Sequence, residues 1–191
     1  MKKPSSLLRG ASVLALACLT AACDTEPQLA WTPVVLQDAG LEVSFPCDAQ
    51  VAQTPVDFGM EMGSVMVNMM GCDAVDATYA VSHWLLDDAA QADDALAFWQ
   101  SAVLTRLSAV DGAEAKSGAP FVPLGAMDLS RSIRATVEGV GPAGWVIATH
   151  GVWFARQEGE KARIFHAVVY APKVQHKQAA NFFQSLVLTT P

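Results

Sequence analysis

Four cysteines, four histidines and a cluster of methionines are the side chains of this sequence whose chemistry goes beyond packing. Cys47 and Cys72 do not have the CxxC spacing of a redox pair, and a zinc site would need two further ligands beside both thiols. Their expected state is a disulfide, which by closing a loop of about 25 residues would stabilise the fold by roughly 3 kcal/mol. Met60, Met62, Met66, Met69 and Met70 crowd one short segment, and thioethers are soft ligands that select Cu(I). On a strand, however, Met66 and Met70 face opposite to Met69, and methionine is an ordinary gap-filler in cores. Packing or a soft interaction surface is the expected role, with Cu(I) handling by segment 60–70 as the alternative.

Histidine is both a common metal ligand and the common catalytic base. His150 and His166 are expected on one face of a hairpin, about 7 Å apart, which is within reach of one ion. No Asp, Glu or Cys is expected near them on that face, so they read as core histidines satisfied by hydrogen bonds. His83, beside Trp84, reads as a packed or rim residue, and His176 as solvated. Arg131 and Arg134 invite an anion site, but a snorkelling Arg131 and a solvated Arg134 account for them. The sequence contains no G-x-S-x-G elbow, H-E-x-x-H, P-loop or G-x-G-x-x-G. No catalytic residue, cofactor site or metal ligand is assigned, and the chain is read as not an enzyme.

The remaining cysteines belong to the N-terminus. Residues 1–9 carry Lys2, Lys3 and Arg9 without an acid, and residues 11–22 form an uncharged apolar run ending in small residues, which is the pattern of a secretory signal. That run is too short to span about 30 Å of hydrocarbon as a helix. The stretch Leu19, Thr20, Ala21, Ala22, Cys23 resembles the lipobox of bacterial lipoproteins, with Thr20 where Leu is commonest. The resemblance implies signal removal after residue 22, lipidation of Cys23 with palmitate-type acyl chains, and a tether over 23–30. Asp24 would favour the inner membrane, with the domain facing the periplasm. Cys18 is the poorer acceptor, so Cys47 and Cys72 remain as an even pair in an oxidising compartment.

Composition fits one globular domain over residues 31–191. The 191-residue chain is 52% hydrophobic and 16% charged, with 12 basic residues against 19 acidic ones for a net −7; loss of Lys2, Lys3 and Arg9 would make it −10. That charge speaks against a nucleic-acid partner. Residues 34–36 and 41–45 flank a turn and read as a hairpin; residues 50–58, 64–70 and 77–86 read as three further strands. Leu96, Trp99, Val103, Leu107 and Val110 recur at helical spacing, which predicts a helix over 95–110 with acids near its start. Residues 127–138 alternate as a strand, 145–155 and 162–170 predict a hairpin around a turn at 157–161, and 174–186 reads as a second helix. Placing Arg156 opposite Ala162 leaves both faces of that hairpin largely apolar, so both must be covered.

This order of elements resembles the PsbP-like superfamily, chiefly through the strand ending Phe45, Pro46 and the closing Phe182, Phe183, Gln184, Ser185, Leu186. The resemblance implies an α+β fold, an antiparallel sheet covered by helices on both faces as an α/β/α sandwich. It also implies a role in binding or stabilising protein complexes. The expectation is a non-enzymatic, lipid-anchored periplasmic binding or envelope-assembly module with a protein partner in the cell envelope.

Overall fold

The computed structural model describes residues 29–58, 63–109, 118–141 and 144–189. Alternation governs the first hairpin. In β1 (Thr32–Leu36) and β2 (Leu41–Phe45), antiparallel with Thr32 opposite Phe45, the side chains of Leu41, Val43 and Phe45 are fully buried while Glu42 and Ser44 are half-buried. A meander follows through β3 (Gln50–Asp57), β4 (Ser64–Ala74) and β5 (Ala77–Leu86).

A single 3-10 turn, Ala89–Gln91, is capped by the Asp88 carboxylate on the Ala90 amide and leads into α1 (Ala92–Arg106). The helix buries Ala92, Ala95, Leu96 and Gln100. Its first-turn acid Asp93 favours the positive end of the helix dipole and also reaches across the chain. It accepts from Ser130 Oγ at 2.7 Å and the Arg131 amide at 2.8 Å, while Gln100 donates to the Arg131 carbonyl at 2.7 Å. The short strands β6 (Ser108–Ala109) and β7 (Ala119–Pro120) both pair with β8 (Ile133–Val140). The long hairpin β9 (Val146–Glu158) and β10 (Lys161–Ala171) leads to α2 (His176–Gln184) and β11 (Val187–Leu188).

Eight strands form the large antiparallel sheet, in the order β3-β4-β5-β10-β9-β8-β6 with β7 beside β8; β1, β2 and β11 form a small one. Under α1, one face of the large sheet buries Trp84, Leu86, Trp153, Ala155 and Ile164. The other face buries Tyr79, Val81, Phe154, Phe165 and Val169 against Phe45 of the small sheet and Phe182 and Phe183 of α2. The Cys47–Cys72 disulfide, with Cα atoms 5.9 Å apart, fastens the segment after β2 to β4 and so joins the two sheets.

This arrangement corrects the expected α/β/α sandwich. The chain is mostly β, with two α-helices among the described residues, and three strands rather than a helix layer occupy much of one face. The physical reason lies in β2: a strand buried at every second residue must lay that face on something, and here it lies on the large sheet. The predicted pairing of β9 with β10 is corrected as well. The turn has only two residues, Gly159 and Glu160, so Phe165 pairs with Phe154 and Arg163 with Arg156. Gly159, at φ +68, takes the first turn position, where a type II′ hairpin requires a positive φ.

Candidate functional site

Five charged or titratable side chains form a polar seam where the hairpin tip of β9 and β10 meets the turn between β1 and β2. Arg156, 8% exposed, donates from one nitrogen to the carbonyl oxygens of Gly40, at 2.9 Å, and Thr189, at 3.0 Å. Its other terminal nitrogen is paired with the Glu158 carboxylate. Arg163 grips the same carboxylate from its own strand, at 2.8 and 3.1 Å. Burial alone would raise the Glu158 pKa, but hydrogen bonds and charge from Arg163 and Arg156 outweigh it and hold the carboxyl below its usual range.

Arg163 also donates to His83 Nδ1 at 3.4 Å, while His83 Nε2 faces the Asp38 carboxylate at 3.6 Å. Because a guanidinium can only donate, Nδ1 is the acceptor and the proton sits on Nε2, toward Asp38. Burial lowers the His83 pKa; Asp38 opposes this, Arg163 adds to it and Glu158 opposes it. A neutral ring held at both nitrogens is a poor general base and a good orienting group. Asp38, 67% exposed, is the group of the seam that solvent or a ligand can reach.

Two clefts flank the seam. One, of about 510 Å³, runs between the β1–β2 turn and the outer face of β3 and β4, with Val35, Val51 and Met70 as apolar walls and Asp38 and His83 at one end. Gln53 and Asn68 line its floor and are hydrogen-bonded to each other at 2.6 Å. The other, of about 900 Å³, is lined by Arg156, Glu158, Leu124, Leu186 and Leu188. The first combines apolar walls, side-chain amides and one accessible carboxylate, so it suits a segment that brings both apolar groups and a hydrogen-bond donor or cation.

The other singled-out residues do not converge there. His150 and His166 lie on opposite faces of the sheet, because the two-residue turn moves β10 by one position relative to the expected pairing. His150 accepts from the Gln175 amide at 3.1 Å and bonds Thr136 Oγ1 at 2.9 Å; burial, His176 and Arg134 lower its pKa to about 4. His166 stacks on Trp153 at 4.7 Å under α1, its Nε2 lacks a hydrogen-bond partner, and burial lowers its pKa to about 3. His176 is exposed and packs edge-on to the His150 ring at 5.2 Å. Arg131 is exposed; Arg134 is half-buried, 6.0 Å from the Phe183 ring centre. Among the described residues no group of three His, Cys, Asp or Glu side chains is placed to hold a metal ion.

Met70 lines the smaller cleft and Met66 is largely exposed on the same face of β4, while Met69 points to the other face. Met60, Met62, Asp24 and Cys23, the residue expected to carry the lipid, lie outside the described residues. Cys47 and Cys72 are bonded to each other, as expected. Sequence reasoning missed the seam: Asp38, His83, Arg156, Glu158 and Arg163 come from three separate stretches, and nothing in their local patterns links them.

No protein-family profile matches the chain, and no curated protein is similar enough to count as a relative. A crystal structure of the protein of unknown function PA94 from Pseudomonas aeruginosa is similar at 12% identity and a TM-score of 0.33, covering 72% of this chain and 81% of that one. None of these findings bears on the PsbP-like resemblance.

Proposed function

We propose that this chain is a lipid-anchored module of the bacterial cell envelope that binds a protein partner and carries no catalysis of its own. The observation that carries the reading is the fate of the cysteines. Cys47 and Cys72 are bonded to each other, which leaves Cys23 as the one thiol downstream of the apolar run, directly after Ala21 and Ala22. Two or three acyl chains there, at about 0.8 kcal/mol per buried methylene, make a stable anchor. Asp24 favours retention at the inner membrane, with the domain in the periplasm.

The partner surface is the cleft ending at Asp38. Its walls favour an extended segment with an apolar side chain against Val35, Val51 and Met70 and a donor or cation on the carboxylate. Strand β3 borders it as one of the two end strands of the large sheet among the described residues, where a partner's backbone can add hydrogen bonds.

Replacing Cys23 with Ser is expected to abolish labelling by a palmitate analogue and release the domain from the membrane. Undiminished labelling overturns the anchor. Cross-linking from intact membranes is expected to recover a partner that Asp38→Lys loses; identical recovery with that variant overturns the cleft as its site.

A further inference from the structure

Wherever the anchor is, the way the chain enters the domain fixes which surface can reach it. Trp31, just before β1, packs edge-on against Tyr79 at 5.7 Å, and β1 then runs toward Asp38 and His83. Followed backwards, the chain therefore leaves the domain at the opposite rim, where β5 starts at Ala77 and β10 ends at Ala171. Only five residues, 24–28, separate Cys23 from Leu29, so the six chain steps between them reach at most about 20 Å.

That rim carries an exposed apolar group that no packing requirement explains. Trp145 is 70% exposed and Val146 53%, at the start of β9; Val174 is 37% exposed, in the segment after β10. The pairing of Ala148 with Ala171 puts both segments at the same end of the sheet. Lys173 and Lys177 are exposed beside Val174, and they are two of the three lysines among the described residues of an acidic chain. Asp76, in the β4–β5 turn, sits at the far corner, beyond β5 and β10 from Trp145, while on the other side of β9 the exposed Glu138 of β8 stands opposite Ala148, so the two lysines offset an acid at this end. An indole with aliphatic neighbours and flanking lysines matches the bilayer interface, where tryptophan sits at headgroup level and lysine meets anionic lipid.

We infer that the rim formed by Trp145, Val146, Val174, Lys173 and Lys177 docks onto the bilayer surface and orients the domain on it, leaving the Asp38 cleft at the opposite end open to the periplasm. This rests on the anchored reading above.

The test uses the full chain, produced in a bacterium and reconstituted into vesicles of phosphatidylethanolamine and phosphatidylglycerol with brominated acyl chains. Either an acylated Cys23 or the uncleaved apolar segment holds it there. Intact mass reports acylation separately, so a failed anchor and a failed docking face are distinguishable. Docking predicts quenching of tryptophan emission that Trp145→Phe reduces to the share of the half-buried Trp31 at the same rim, and that Lys173→Glu with Lys177→Glu weakens. Trp145 is exposed, so its variant is expected to keep the wild-type unfolding midpoint. Quenching that is absent in the wild type, or unchanged in Trp145→Phe, overturns the inference. An unquenched chain that sediments as a dimer overturns it too, and assigns the rim to a second copy.

Discussion

Arg156 Nη1 donates to the Gly40 carbonyl across 2.9 Å, joining the end of β9 to the turn between β1 and β2. The same nitrogen reaches the Thr189 carbonyl just beyond β11, so one guanidinium fastens the first and last strands of the small sheet to the large one. The Cys47–Cys72 bond makes a second attachment elsewhere, between the segment after β2 and β4.

Arg156→Ala is expected to cost about 3 kcal/mol, because it removes the donor of two backbone carbonyls and one of two cations facing Glu158. Gly40→Ala is expected to lose about 1 to 2 kcal/mol from its left-handed backbone alone, at φ +53. It should lose more because the added Cβ would stand 2.6 Å from Arg156 Nη1. Urea unfolding measures both, and a loss below about 0.5 kcal/mol in either variant would show that the seam does not hold the small sheet.

The contrast between this seam and the strands marks what the sequence could reveal. Half-buried strands such as β2 announce themselves by alternation, and α1 by its Leu96, Trp99, Val103 spacing. The register of β9 with β10 did not, because a pair that is apolar on both faces carries no pattern to distinguish one pairing from the next. A single-position error then placed His150 and His166 together when they lie on opposite faces. Cover for the hairpin was required by that double-sided burial, but burial alone does not specify helix or strand as the cover; the alternation of Leu41, Val43 and Phe45 was the available sign of a second sheet. The seam depends on contacts as distant as Arg156 to Gly40 and left no local trace.

Reducing the disulfide is expected to lower stability by roughly 3 kcal/mol on the chain-entropy account while the large sheet stays folded. Intact mass after alkylation without reduction should show neither Cys47 nor Cys72 modified. Labelling of both thiols in the native protein would contradict the bond.

Acid should weaken the fold well before the carboxylates titrate. Burial lowers the pKa of His166 to about 3, and burial with His176 and Arg134 lowers that of His150 to about 4, whereas both would titrate near 6.5 when unfolded. Between those values the unfolded chain binds the protons, so stability is full above about pH 6.5 and is lost as pH falls, by about 1.4 kcal/mol per pH unit for each histidine. Glu158 acts in the same direction below its ordinary range, because its folded pKa is also lowered. His166→Phe is expected to reduce the slope between pH 6 and about 4.5, with His150 and the also lowered His83 supplying what remains, and, by removing an unpartnered buried nitrogen, to leave the protein no less stable at pH 7. An unfolding midpoint independent of pH across that window would mean that neither ring is held neutral by burial.

Cu(I) is expected to remain with a chromophoric chelator when the protein competes for it. A soft site needs about three converging sulfurs or imidazoles. Strand alternation divides the methionines of β4, placing Met66 and Met70 on one face and Met69 on the other, packed against the cluster under α1. The nearest imidazole in the cleft with Met70 is His83, whose Nδ1 accepts from Arg163 and whose Nε2 faces Asp38, so binding an ion there would break the seam. Among the described residues Met66 and Met70 alone leave coordination incomplete, and a guanidinium beside the ring opposes a cation. Stoichiometric withdrawal of copper, lost on joint replacement of Met66 and Met70, would overturn this and make β4 a metal-binding strand.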